Sequence, residues 1–246
     1  MKSIILLVMQ MICIISLSAQ LEGPHSPHAS TTISIPGYDQ TWVNTGNVYN
    51  SDNNYSTFGN LNGTAGSHTN YLVATDFGFD IPGGTTITGI KVDVECSDPN
   101  LQTSDYSVRL IVKNALTPAE RATGAAYPST DAYMTYGAAN DLWGGTWNYK
   151  LIDDAGFGVA IAAQRRSDGH VATAGQINSI SITVYFSYTT LPVTMTSFTA
   201  TKQAGAVQLN WKTASEINIS ATFRSFNRCW IIGRSVSYFQ SCLSAV

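Results

Sequence analysis

Charge is scarce in this 246-residue chain. Asp, Glu, Lys and Arg make up 12% of it, about half the usual share for a soluble domain. The net charge is −3 and no stripe of Lys and Arg occurs. That excludes the basic footprint of a nucleic-acid binder. Cysteine is scarce too. Between Gln20 and Asn218 only Cys96 is present, so no internal disulfide framework holds that stretch. It is long enough to rely on a hydrophobic core instead. Histidine is limited to His25, His28, His68 and His170. None is paired in sequence with a nucleophile pattern, and no Ser sits in a G-x-S-x-G turn. Helical periodicity is also missing, apart from one short turn expected in "TPAERATGA".

What fills the gap is Gly, Ser, Thr and Asn, the make-up of a secreted, turn-rich β protein. The first residues, "MKSIILLVMQMICIISLSAQ", carry one early charge, Lys2, then an apolar run from Ile4 to Leu17, then small residues. This is the layout of a secretory signal peptide over 1–19, cleaved after Ala19. A membrane anchor is the competing reading, but spanning needs about 20 apolar residues. Residues 20–31, "QLEGPHSPHAST", read as a flexible linker. The prolines beside His25 and His28 favour a lead-in over a metal site.

From 32 to 188 the hydrophobic period is two. "IKVDVEC" puts Ile90, Val92, Val94 and Cys96 inward and Lys91, Asp93 and Glu95 outward. "YLVATDFGFDI" puts Tyr71, Val73, Phe77, Phe79 and Ile81 on one face. "YSVRLIVK" does the same for Tyr106, Val108, Leu110 and Val112. Phe157, Val159 and Ile161 form another set, and Ile180, Ile182, Val184 and Phe186 a last one. Such alternation marks strands with one face dry and one wet. Turn signals at "PGG", "DPN", "TPAE", "GG" and "SDG" separate them. The expected fold is all-β: an antiparallel β-sandwich, jelly-roll-like. Cys96, on an apolar face, is expected to be a buried, inert thiol.

Two resemblances follow from these residues. "NYLVATDFGFDIPGGTTITGIKVDVE", "YGAANDLWGGTW", "FGVAIAA" and "INSISITVYF" resemble a β-sandwich module of secreted bacterial and phage-tail proteins. That likeness implies a fold and an extracellular setting more than an activity. "LPVTMTSFTATKQAGAVQLNWKTASEIN" is similar to the fibronectin-III-like segment preceding the sorting domain of type IX secretion cargo in Bacteroidota. Leu191, Pro192, Val193, Ser197, Phe198, Val207, Leu209, Trp211, Ala214, Ser215, Glu216 and Asn218 carry it. The family resemblance implies surface delivery, and it makes 189–218 an incomplete fibronectin-III-like segment. Residues 219–246 form an atypical tail with no Asp, Glu or Lys, and with Cys229 and Cys242. The composition break suggests a shifted reading frame. Lacking a strand partner, the tail is expected to leave the hairpin before it loose. Without a sorting domain the chain is expected to stay periplasmic.

Candidate chemistry is sparse. Asp153 and Asp154 are adjacent, which points them apart on an extended chain and suits turn capping better than shared acid–base work. Asp52 in "YNSDNNYS" offers oxygens to a structural Ca²⁺, but an Asx turn explains it as well. No other cofactor is implied. The aromatic corner "DLWGGTWNY" is the candidate ligand site: Trp143, Trp147 and Tyr149, with Tyr136 and also Tyr127 and Tyr133 nearby. Exposed rings there would stack on sugars. Rings turned inward would plug one end of the sandwich. Trp42 poses the same choice. The resulting expectation is a secreted, non-enzymatic binding or structural module with glycan or cell-surface partners. A carbohydrate-binding module is the alternative, and a glycan-active enzyme is disfavoured.

Overall fold

The computed structural model describes residues 20–62, 64–166 and 173–188, plus the backbone of three strands further on. The chain divides into two compact units, Met1–Thr189 and Thr190–Val246. The expected signal segment, His170, "SDG", Cys229 and most of the tail lie outside the described residues.

The first unit is an antiparallel sandwich. Its strands are β1 (Gln20–His25), β2 (Ala29–Ile33), β3 (Ser56–Thr57), β4 (Tyr71–Thr75), β5 (Thr85–Ser97), β6 (Thr103–Val112), β7 (Ala115–Leu116), β8 (Ala132–Ala138), β9 (Gly158–Arg165) and β10 (Gln176–Tyr188). One sheet, sheet A, has the order β1-β10-β5-β8, with β3 also pairing β10. The other, sheet B, runs β2-β4-β9-β6-β7. Leaving out β2 and β3, the eight remaining strands interleave as a jelly roll, with successive long strands crossing between sheets.

The core between the sheets is where the alternation puts it. Ile90, Val92, Val94, Cys96, Val108, Leu110, Val159, Ile182 and Val184 are all buried in one cluster. Each such side chain contributes roughly 1.5–3 kcal/mol on burial. The register pairs Ile182 with Val92 and Ser181 with Asp93, so Lys91, Asp93 and Glu95 share the wet face.

Four local readings are corrected. Residues 20–31 are not a linker: β1 pairs with β10 and β2 with β4. The register shift between Glu22 and His25 accommodates Gly23 and Pro24, as Pro requires of an edge or bulged strand. Tyr71 and Val73 do not share a face with Phe77. They pack with Ile111, Ala160 and Ala162 on the outer side of sheet B. The left-handed Asp76 (φ 60°) resets the phase before Phe77, Phe79 and Ile81 enter the main core. Tyr106 is 39% exposed, because a bulge between Asp105 and Ser107 turns it out. "TPAERATGA" holds no helix, and the α-helix among the described residues is α1 (Tyr149–Ile152).

In the second unit β11 (Met195–Gln203) pairs with β12 (Ala206–Thr213), as the hairpin reading requires. The tail nonetheless supplies a partner. β13 (Phe239–Ser244) pairs antiparallel with β12, Ala206 opposite Ser244 and Trp211 opposite Phe239.

Candidate functional site

The aromatic corner follows β8. Gly137 takes a left-handed φ of 74°, and a Cβ there would strike the Ile90 carbonyl oxygen. That close approach lets the loop fold back over the strand end. Trp143 (φ 52°) and Gly144 (φ 64°) are also left-handed, which is unusual for a bulky residue. The result is that the Trp143 ring points inward. It is 1% exposed, and its Nε1–H donates to the Ile90 carbonyl at 2.9 Å. Asp141 accepts from the Trp143 backbone N–H at 2.8 Å. The Arg121 guanidinium forks onto both Asp141 oxygens at 2.8 Å and lies 5.5 Å from the Trp143 ring centre. Arg121, chiefly by that hydrogen bond, holds the Asp141 carboxyl below its ordinary value.

Its neighbours divide. Trp147 is half-buried, donates Nε1–H to the Leu142 carbonyl at 2.7 Å and meets Phe157 edge-on. Tyr149 is half-buried beside Gly83, with the Lys150 ammonium 5.8 Å from its ring centre. Tyr136 and Tyr127 are buried, and desolvation raises both phenol pKa values. Neither presents a ring to solvent, which corrects their reading as exposed site residues. Trp42 is buried too, with Nε1–H on Thr69 Oγ1. The corner is therefore a plug at Trp143 and Tyr136, with Trp147 and Tyr149 keeping partly open edges.

The acidic candidates have structural partners. Asp153 Oδ1 accepts from the Ile81 N–H at 2.9 Å, and Asp154 Oδ1 from the Gly156 N–H at 2.8 Å. Burial, with the Asp80 and Glu22 charges adding, raises the Asp153 pKa. Asp52 Oδ1 accepts from the Asn54 N–H at 3.0 Å, an Asx turn. Among the described residues no group of three or more His, Cys, Asp or Glu is placed to hold a metal ion. Burial pushes the Cys96 thiol up to about 12, so little thiolate forms at neutral pH.

Sequence reasoning did not consider the wet face of sheet A as a candidate site. Register sets Ser179, Glu95 and Tyr133 in one row, and Ser181, Asp93 and Thr135 in the next. Its polar groups are held in place. Glu95 Oε2 accepts from Asn178 Nδ2 at 3.1 Å and Ser179 Oγ at 2.9 Å. Asn178 is itself locked, accepting from the Asp52 and Asn53 N–H groups. Asp131 accepts from Tyr55 OH at 2.5 Å and from Ser97 Oγ at 2.6 Å. That bond to Asp131, with lesser help from burial and the Asp131 and Glu95 charges, pushes the Tyr55 phenol up to about 12. Asp93 accepts from Thr135 at 2.6 Å and pairs with Lys91 at 2.7 Å. Tyr133 stands free at 59% exposure. The signal in the sequence was the polar half of each alternating strand, read only as solvated.

Comparisons with known proteins add little. No family model matches the chain, and no curated protein matches it. One solved structure, the Spr0440 glycoside hydrolase domain of Endo-D from Streptococcus pneumoniae R6, aligns over 76% of this chain at 10% identity with a TM-score of 0.26. The chain spans 26% of that structure's length. Among the described residues, no helix is long and apolar enough to cross a membrane.

Proposed function

We propose that this chain is a secreted, non-enzymatic module that binds a partner outside the cytoplasm through the wet face of sheet A. The observation that carries the reading is the fixed polar strip around Tyr133, Glu95, Asp131 and Tyr55. A merely solvated face gains no affinity from locking its carboxylates, although the locking also satisfies the buried Ser97, Asn178 and Ser179. A recognition face does, because order already present in the free protein need not be imposed on binding. Export is motivated by the charge–apolar–small pattern of residues 1–19, and surface delivery by the resemblance at Leu191–Asn218. A glycan-active enzyme is the weaker reading, since the Asp153 and Asp154 carboxylates each accept from a backbone N–H of a turn.

Hydroxyl-radical footprinting of the whole chain, with and without a cell-surface polysaccharide extract, tests the site. Protection of Tyr133 and Tyr55 is expected. Protection of Trp147 and Tyr149 instead would move binding to the corner, and no protection at all would remove the binding reading. N-terminal sequencing of the exported protein should begin at Gln20.

A further inference from the structure

We propose that the strip Tyr133–Glu95–Asp131–Tyr55 binds an uncharged sugar chain, with one ring against Tyr133 and a hydroxyl donated to Glu95 Oε1. The inference rests on the reading that this face is the binding surface, and it names the chemistry of the ligand.

Three features of the strip set that chemistry. The first is the carboxylate at its centre, which sets what can meet Glu95 itself. An ionised carboxylate cannot donate, so a ligand group that meets Glu95 must bring an N–H or O–H. Glu95 is bound through Oε2 by Asn178 and Ser179, and among the described residues no donor meets Oε1. One oxygen is thus held in place and left open. Its neighbours Asp131 and Asp93 have both oxygens engaged, by Tyr55 and Ser97 on one side and by Thr135 and Lys91 on the other.

The second feature is an aromatic ring on the neighbouring strand, in the same row as Glu95. Tyr133 pairs with Glu95 in register, and adjacent strands lie about 4.8 Å apart. The ring is largely exposed and offers a π face to an apolar C–H surface. A pyranose has both parts on one small body, a C–H face and equatorial hydroxyl donors. Amino-acid side chains seldom combine the two.

The third feature is charge. Lys91 offsets one of the three carboxylates Asp93, Glu95 and Asp131, and the chain as a whole is at −3. Acidic polymers are repelled by such a face. A polyamine would be attracted. However, hydroxyl, amide and ammonium donors already engage five of the six carboxylate oxygens, and one open oxygen near an aromatic ring suits a hydroxyl.

Affinity electrophoresis of the whole chain through three immobilised polymers tests the assignment: a neutral hexose polymer, a deacetylated amino-sugar polymer and a polyuronate. Retardation by the neutral polymer is expected. Tyr133→Ala should weaken it about tenfold. Glu95→Gln should weaken it at least about fivefold, since the amide oxygen stays with Asn178 and Ser179 and an NH2 donor replaces the accepting Oε1. Both variants should keep the wild-type melting temperature, and an Asp93→Asn control, whose acceptors are already engaged, should bind nearly as wild type. Salt-sensitive binding to the amino-sugar polymer alone, lost in Tyr133→Ala, overturns the uncharged ligand and keeps the face. Neutral-polymer binding indifferent to both variants overturns the face as well. Failure to bind any of the three overturns the sugar assignment, leaving the face to the footprinting result.

Discussion

The Trp143 corner and the wet face of sheet A are built from the same residue types, aromatic rings beside carboxylates, and they use them in opposite directions. At the corner the ring donor ends on a backbone carbonyl, and the Asp141 carboxylate is closed by Arg121 and the Trp143 N–H. The Trp143 ring and its carboxylate are thus turned to the chain itself, and only Trp147 and Tyr149 keep partly open edges. On sheet A the carboxylates are closed from one side by hydroxyl and amide donors, and a ring and an oxygen remain open. An aromatic cluster in a loop is therefore weak evidence for binding. What matters is whether the polar atoms beside it are already satisfied by the chain.

That contrast predicts a reversal between stability and binding. The largest effect should come from Trp143→Ala. It empties a buried site and leaves the Ile90 carbonyl without its donor, which should cost about 3–5 kcal/mol. Urea unfolding of the variant should show it, while binding to sheet A persists at low denaturant. An effect under about 1 kcal/mol would mean that the corner is not a plug. Gly137→Ala should come next. It forces a Cβ into the Ile90 carbonyl at a left-handed φ, and the loss should exceed about 1 kcal/mol.

Two carboxylates near the corner should respond to acid with opposite signs. Asp141 is held below its ordinary value by Arg121. Its stabilisation is present above the unfolded pKa of about 4 and is lost as pH falls through the folded value. Asp153 is raised by burial. Its stabilisation is complete below about pH 4 and is lost as pH rises through the folded value. Melting temperatures from acid to neutral pH should thus fall less steeply toward acid in Asp141→Asn, by the equivalent of about 1 kcal/mol for a partly exposed pair. In Asp153→Asn the small decline above about pH 4 should disappear. Matching slopes in the two variants would contradict these assignments.

The sandwich was readable because alternation fixes which face is dry. Val92, Val94, Ile182 and Val184 needed no tertiary information, and the sandwich class followed from many strands without helices, whereas the strand order did not. Three misreadings share one cause, a residue that breaks the period. Asp76 at positive φ, the Asp105–Ser107 bulge and the Glu22–His25 shift each reset the phase or hid a strand behind Gly and Pro. A sequence does not announce such breaks, since most residue types tolerate them once tertiary contacts compensate. The β12–β13 pairing was missed because partner choice across 25 or more intervening residues leaves no local signature. The candidate site was half legible. The aromatic corner drew attention because "DLWGGTW" is dense in rings, whereas the locked strip on sheet A is scattered over Tyr55, Glu95, Asp131, Tyr133 and Asn178 and converges only in the folded sheet.

The smallest effect predicted is the one that most sharpens the comparison. Tyr133→Ala should leave stability within about 0.5 kcal/mol of wild type. The ring is 59% exposed, its hydroxyl has no hydrogen-bond partner among the described residues, and its row neighbour Glu95 is held by Asn178 and Ser179 without it. β8 is also the outer strand of its sheet, where losing one outward side chain removes a cross-strand contact worth roughly 0.2–1 kcal/mol at most. Urea midpoints for Tyr133→Ala and Trp143→Ala, measured side by side, make the reversal visible: a destabilised variant that still binds, and a stable one that does not. If Tyr133→Ala lowers stability by more than about 1.5 kcal/mol, the ring is a structural cover for the Glu95 row. The distinction between a closed corner and an open face would then fail at its most exposed residue.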